Sequence, residues 1–212
     1  MAQPMMHLLI ADNIYGEKPG SFRSYGDFLL GSIAPDAVHM RADCTKEMKR
    51  ISHYRFTSEN PISHFDGFFD EYHTPENRDF VIGYLVHLLS DMIWYSSVRV
   101  PFKESFSQAP DPDMSMNEVY YADCEQIQER MFWDGNAPRI IDGIREGKAY
   151  SLEGRIDAGS VRAWGDKLIL EYDNRRDIVP HTKYISERQV RDYITGCTEE
   201  CIRYLWREGA KT

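Results

Sequence analysis

The sequence has few cysteines and lacks the short motifs of several metalloprotein classes. Its four cysteines form no CxxC pair, which argues against a zinc ribbon or a disulfide framework and predicts reduced thiols. Cys197 and Cys201 are one helical turn apart and could bind a metal together, but no second pair lies nearby. The sequence has no adjacent His-Asp pair, which HD-type phosphohydrolases require, and no paired ExxH motifs, which di-iron bundles require.

The sequence also lacks an excess of basic residues and a long apolar run. With 34 acidic and 25 basic residues the formal charge is −9, which argues against an extended nucleic-acid surface or attraction to an anionic membrane. The net negative charge does not exclude a local positive site, including one made by metal ions. The N-terminal MAQPMMHLLIADNIYG lacks the positive start and apolar core of a signal peptide, and no run approaches the ~20 apolar residues that span a bilayer. We therefore expect a soluble, cytoplasmic protein with no membrane span.

Helical spacing of apolar residues dominates the chain. Its 212 residues can bury a core without disulfides, and we expect a single domain over 1–212. The expected fold class is all-α, a mainly helical domain with long ordered loops. Residues 37–60 look loop-like, although 46–54 could be a short helix. Residues 155–170 could be a helix interrupted at Gly159 and Gly165, or short strands could lie around 168–172. The other expected helices cover 5–15, 22–33, 77–97 (ending towards Pro101), 117–133, 139–146 and 186–206.

The segment 83–94, GYLVHLLSDMIW, places two polar residues in a helix that is apolar on almost every side. His87 and Asp91 are four positions apart, so they lie on one face of the helix and could hold one ion between them. A buried carboxylate is unfavourable unless it is paired or bound to a metal. The alternative is a hydrogen-bonded core pair, or two residues facing a small water pocket.

Three further residues extend this pair. His7 lies on the apolar face of the first helix, where a histidine is usually a hydrogen-bonded core residue. Asp36 follows a rigid Ala-Pro turn and could instead cap the next element. His53 lies in KRISHYRF and alone would pass for a surface histidine. Together with the helix pair they make three imidazoles and two carboxylates, a ligand set that suits zinc and related divalent ions.

These segments occur in a recognisable order. HLLIAD, FLLGSIAPDAVH, KRISHYRF and FVIGYLVHLLSDMIW together resemble the bacterial zinc-dependent phospholipase C superfamily, which includes the fungal and plant zinc nucleases. The resemblance covers roughly residues 5–97, with a weaker match in NEVYYADCEQI. It implies an all-helical fold, a cluster of up to three zinc ions and hydrolysis of phosphoester bonds.

The resemblance also implies a role for each ligand candidate. Asp36, His53, His87 and Asp91 would ligate one zinc ion, and Asp91 would bridge to a second ion that His7 also holds. In the secreted enzymes a mature N-terminal tryptophan completes one site, whereas here MAQPMM precedes His7. A histidine that follows the helix aspartate in those enzymes, and a further histidine-carboxylate pair, are missing here. We expect two zinc ions; a third would need substitutes from His64, His73, Asp123 or Glu125, although a solvated loop or helix surface is the favoured interpretation of each.

The function expected from this ligand set is a metal-dependent phosphoester hydrolase. Metal-activated water would attack phosphorus, and Asp36 would assist its deprotonation. The substrate would be a small phosphorylated molecule or a phospholipid head group. His39 could touch substrate, and His181 is expected to pack or cap locally; Arg41, Arg50 and Arg55 could bind phosphate or be surface charges. The alternative is a non-enzymatic helical metal-binding or sensor protein with a degenerate active site.

Overall fold

The computed structural model describes residues 2–54 and 61–207, with the backbone alone at 61–64 and 66. Helices make up the regular structure of these residues, and an isolated bridge between Leu152 and Ile156 is their sole β pairing. The prediction of an all-α fold is therefore confirmed. Two predicted candidates, Arg55 and the side chain of His64, lie outside the described residues.

Ten α-helices are described. In chain order they are α1 Pro4–Glu17, α2 Tyr25–Ile33, α3 Lys46–Ser52, α4 Pro61–Tyr72, α5 Arg78–Trp94, α6 Val100–Gln108, α7 Met116–Met131, α8 Ala137–Glu146, α9 Ala158–Asp173 and α10 Glu187–Leu205. Short 3₁₀ turns occupy Pro19–Ser21 and Ala34–Met40, and a π turn, Tyr95–Arg99, joins α5 to α6.

Short polar side chains set the start of half of these helices. At each such start the side-chain oxygen accepts a hydrogen bond from the backbone N–H three residues later, which satisfies a donor that the helix leaves open. The capping residues are Ser24, Thr45, Ser115, Asp157 and Ser186. Ser115 and Glu118 form a reciprocal capping box, and the serine start predicted for the last helix is confirmed.

Two stretches with uncertain predictions form helices. The short helix left open after residue 45 is α3, which ends at Ser52. The strands considered around 168–172 are wrong, because these residues lie in α9. Val161, Trp164 and Leu168 are buried along one side of α9, so the helical spacing outweighs the interruption expected from its glycines.

The predicted end of the central helix is also wrong. We expected α5 to stop towards Pro101, but the helix passes through the π turn and continues as α6. The N–H of Val100 bonds to the carbonyl of Tyr95, five residues back, and Pro101 sits in the first turn of α6. Pro101 lacks the N–H that a regular helix would use, but it lies just after the π turn, where the hydrogen-bond pattern is already shifted by one residue.

Among the described helices, α2 and α5 make the most extensive contact, and glycines allow their close approach. A Cβ on Gly83 would lie 2.1 Å from the carbonyl oxygen of Phe28, and one on Gly31 would lie 2.0 Å from that of Phe80. Backbone therefore rests on backbone at this crossing. The contact places the C-terminal end of α2 beside the middle of α5.

One helix in the described part of the chain is long and apolar enough to span a bilayer. It runs over Arg78–Gln108, with a mean hydropathy of 1.2 in its most apolar window. Since 67 % of that window is buried inside the fold, the apolar character is used in packing against other helices.

Candidate metal centre

Five polar side chains that are remote in sequence meet beside the middle of α5. His87 and Asp91 belong to α5, His7 to α1, Asp36 to the 3₁₀ turn after α2, and His53 is the C-cap of α3. The side chains of His7 and His87 are fully buried, and that of Asp91 is 8 % exposed. The structure thus brings together all five residues that the sequence singled out.

The donor atoms of these residues are spaced like ligands of a metal ion. His53 Nε2 lies 3.2 Å from Asp36 Oδ1 and 3.8 Å from Asp91 Oδ2. His87 Nε2 lies 4.0 Å from Asp91 Oδ2, and His7 Nε2 lies 3.8 Å from Asp91 Oδ1. Zinc ligands lie about 2.0–2.2 Å from the ion, so two ligand atoms of one ion are at most about 4.4 Å apart. These spacings fall within that limit.

Two triads of these residues could each hold a metal ion. In one, ligand atoms of His7, Asp36 and His87 lie within 4.8 Å of one another; in the other, those of His53, His87 and Asp91 do. His87 belongs to both triads.

The simpler alternatives for the other four residues do not match their surroundings, whereas His7 is the hydrogen-bonded core histidine that was considered for it. His53 is 5 % exposed and is therefore no surface histidine. Asp36 lies inside the first turn of its 3₁₀ helix, where Ile33 is the N-cap. The distance between His87 Nε2 and Asp91 Oδ2 is too long for a direct hydrogen bond, so these two residues do not form a hydrogen-bonded pair.

Backbone carbonyls orient two of the imidazoles. Nδ1 of His87 lies 2.9 Å from the carbonyl oxygen of Ser32, and Nδ1 of His53 lies 2.9 Å from that of Lys49. A carbonyl can only accept, so Nδ1 carries the hydrogen in both residues, and in a neutral ring Nε2 keeps its lone pair. Without a metal ion, a proton on Nε2 of His53 can form a hydrogen bond to Asp36. The Nε2 atoms of His7 and His87 have no hydrogen-bond partner among the described residues.

The electrostatics of the cluster favour a cation. Burial, followed by repulsion from His87, lowers the pKa of His7 to about 3, and burial also lowers the pKa of His87. Burial raises the pKa of the Asp36 and Asp91 carboxyls, but the neighbouring imidazoles outweigh it and both pKa values end below their usual range. At neutral pH two ionised carboxylates thus face two neutral imidazoles, and a cation would neutralise this buried charge.

The ring geometry separates the donor atoms into two positions. The rings of His7 and His87 are stacked, with centroids 3.9 Å apart and planes inclined by 17°. A lone pair lies in the plane of its ring, and nearly parallel rings direct their lone pairs along separate lines. His7 and His87 are therefore better placed for two neighbouring ions than for the single ion of the first triad. Asp91 turns Oδ1 towards His7 and Oδ2 towards His53 and His87. This carboxylate can therefore bridge two neighbouring ions, and its Oδ1 also accepts from the backbone N–H of Ala2 at 3.2 Å.

The acidic candidates for a third metal site lie elsewhere in the fold. Asp123 is buried and accepts hydrogen bonds from the three successive backbone N–H groups of residues 183–185, so it anchors the segment before α10. Glu125 is exposed on a cleft that α7 and α9 line. Neither belongs to the ligand triads found among the described residues.

The remaining histidine candidates are held by local contacts. His73 donates through Nδ1 to the carbonyl of Phe69 at 3.0 Å, and its ring stacks on the Phe69 ring. His181 is exposed, and its backbone N–H bonds to Gln126. His39 is also exposed, and its pKa is lowered chiefly by partial burial.

The arginine and cysteine candidates show other contacts. Arg41 pairs with Asp43 and Asp157, and Arg50 pairs with Glu47, so each guanidinium is directed at an exposed carboxylate. The sulfur atoms of the predicted cysteine pair are buried and 3.9 Å apart.

Sequence reasoning missed Ser90, which lies on α5 between the two ligand candidates of that helix. It is fully buried, and its Oγ lies 2.7 Å from Nδ1 of His7. A hydroxyl in an otherwise apolar helix turn is the signal that could have pointed to it.

Comparison with family models, curated proteins and solved structures finds no match for this chain. The class of the protein therefore follows from its fold and from the histidine and aspartate cluster alone. It is an all-α protein with a buried group of histidines and aspartates that could hold a metal ion.

Proposed function

We propose that the protein is a metal-dependent phosphoester hydrolase whose centre holds zinc or a related divalent ion. One observation carries the proposal: the buried Nε2 atoms of His7 and His87 have no hydrogen-bond partner among the described residues and lie beside ionised carboxylates. Buried polar atoms are normally paired, and a metal ion would satisfy these atoms together.

Each residue has a specific role in this proposal. Asp36, His53, His87 and Oδ2 of Asp91 hold one ion, and His7 with Oδ1 of Asp91 holds a second. The division follows the stacked rings and the two faces of the Asp91 carboxylate. It also follows the ordered motifs that resemble the zinc-dependent phospholipase C superfamily.

The chemistry requires a nucleophile and a place for its proton. A bound zinc ion lowers the pKa of water towards 7 and polarises a phosphoryl oxygen. Asp36 would assist deprotonation of that water, because its pKa is lowered and its carboxylate is therefore ionised at neutral pH. The proton would pass to the carboxylate oxygen of Asp36 that does not bind the ion. The substrate class is a small phosphorylated molecule or a phospholipid head group.

The depth of the centre favours a second candidate function. His7 and His87 are fully buried, and the other three side chains are at most 8 % exposed. Catalytic zinc sites keep a position open to substrate, whereas structural sites are closed. A non-enzymatic helical protein that uses the ion for stability or sensing would have such a closed centre.

Metal content and turnover distinguish the two functions. Purified protein is dialysed against zinc or manganese, its metal is counted by mass spectrometry and located by anomalous scattering, and hydrolysis is measured on phosphomonoesters, phosphodiesters and phospholipids. Stoichiometric metal with turnover that His87→Ala abolishes supports the hydrolase. Stoichiometric metal without turnover on the panel supports the second candidate. Absence of bound metal at micromolar concentrations would overturn both.

A further inference from the structure

Ser90 makes contacts that bear directly on one of the proposed ligands. Its hydroxyl oxygen lies 2.8 Å from the carbonyl of His87, in the preceding turn of α5, and 2.7 Å from Nδ1 of His7 on α1. Its own carbonyl accepts from the hydroxyl of Tyr193 on α10 at 3.0 Å. The residue is fully buried and joins three helices at the centre.

The direction of these hydrogen bonds follows from the acceptors. The Ser90 hydroxyl donates its single proton to the carbonyl of His87, which can only accept. The same oxygen must then accept from His7, which requires the hydrogen of His7 to be on Nδ1. Nε2 of His7 is left with a lone pair, and it lies 3.8 Å from Asp91 Oδ1.

We infer that Ser90 is a positioning residue that holds His7 in its metal-binding tautomer; the part of this inference that concerns metal rests on the proposed function. Without the hydroxyl, a hydrogen on Nδ1 of His7 loses its acceptor in a buried place. The ring then favours the other tautomer, in which the hydrogen on Nε2 faces Asp91. In that form His7 offers no lone pair to an ion.

The effect is confined to one of the two proposed ions. His87 and His53 are oriented by backbone carbonyls, which a substitution at Ser90 leaves in place. Ser90→Ala should therefore weaken binding of the ion that His7 holds while the other ion stays bound. Loss of a hydrogen bond that orients a metal ligand typically weakens binding by roughly 10- to 100-fold.

Two measurements test the inference. The first uses metal-free protein with ¹⁵N-labelled histidine at pH 8, where NMR shifts distinguish a protonated from an unprotonated ring nitrogen. His7 should carry its hydrogen on Nδ1 in the wild type and on Nε2, at least in part, in Ser90→Ala. The second is a zinc titration against a competing chelator, where the wild type should bind two ions and the variant should retain one at unchanged affinity.

Two further variants control for loss of a buried hydroxyl and for failure to fold. Thr198→Val removes a hydroxyl that is equally buried and bonded to its own helix, at the carbonyl of Ile194, and it should keep the wild-type tautomer and stoichiometry. Ser90→Cys fills the same space with a weak acceptor and should reproduce the effect of Ser90→Ala if the alanine variant does not fold.

The outcomes separate this inference from the proposed function. If the Ser90 variants keep the wild-type tautomer of His7, the positioning role is wrong, whatever the metal content. If the tautomer changes but wild-type protein binds no zinc, Ser90 orients His7 as inferred and the metal proposal fails. If zinc binds equally to wild type and Ser90→Ala, the role of Ser90 in metal binding is wrong.

Discussion

The glycine contact between α2 and α5 should be intolerant of a single methyl group. In Gly83→Ala the new Cβ would lie 2.1 Å from the carbonyl oxygen of Phe28 and 2.8 Å from the backbone nitrogen of Ser32. Non-bonded heavy atoms prefer about 3.5–4.0 Å, so the two helices must separate by about 1 Å. Both partners are backbone atoms and cannot rotate away.

The expected destabilisation follows from two opposing effects. Overpacking of this kind typically costs about 1–3 kcal/mol, and a backbone collision belongs at the upper end. Alanine recovers up to about 1 kcal/mol of helix propensity over glycine. We expect Gly83→Ala to lower the free energy of unfolding by about 2 kcal/mol, which for a chain of this length corresponds to roughly 4–8 °C in Tm.

The same separation should weaken the metal centre. The 2.9 Å contact between His87 Nδ1 and the Ser32 carbonyl crosses this helix pair, one turn along from Gly83. Stretching it by about 1 Å removes the hydrogen bond that orients His87, so zinc affinity should fall by roughly 10-fold or more.

Urea denaturation followed by circular dichroism, in metal-free protein, measures the stability change, and a chelator competition titration measures zinc affinity. Gly196→Ala is the matched control, because Gly196 is an exposed position within α10 with no atom within 4 Å of its added Cβ. This control should leave zinc binding unchanged and stabilise the protein by up to about 1 kcal/mol. If Gly83→Ala unfolds at the wild-type midpoint, the close approach of α2 and α5 is refuted.

Three further predictions test other parts of the fold and the centre. His87→Ala should remove bound metal and any hydrolysis, whereas His181→Ala, at an exposed position, should leave the metal content measured by mass spectrometry unchanged. Asp123→Ala leaves three backbone N–H groups without their acceptor and should lower the free energy of unfolding in urea by about 3 kcal/mol or more without changing metal stoichiometry; unchanged stability would contradict its anchoring role. Burial raises the pKa of the Cys124 thiol to about 12, so iodoacetamide at pH 8 should label it only after urea unfolds the protein, and rapid labelling of native protein would contradict its burial.

Much of the fold could be predicted from local patterns. Apolar residues at helical spacing, with serine at the start of the last helix, predicted α1, α7 and α10 within a few residues. The predicted end of α5 was wrong because the sequence does not reveal the π turn. This turn shifts the backbone hydrogen bonds by one residue just before Pro101. The helix α9 was left undecided because its glycines suggested an interruption, whereas packing of its buried face keeps the helix continuous.

The candidate centre could be predicted in part. His87 and Asp91 share a helix, so their proximity followed from the four-residue spacing alone. The proximity of His7 depended on ordered motifs that resemble a known family, since no local rule joins α1 to α5. The metal and the reaction remain proposals that the experiments above address.

The sequence by itself determined the helical class and the proximity of His87 to Asp91, because both follow from residue type and spacing along the chain. Only the tertiary structure decided what the side chains of the cluster can do. His7 meets Ser90 across 83 positions, and His87 meets the Ser32 carbonyl across 55. The proton position on an imidazole is set by such a partner and by burial, and both arise when distant segments pack together.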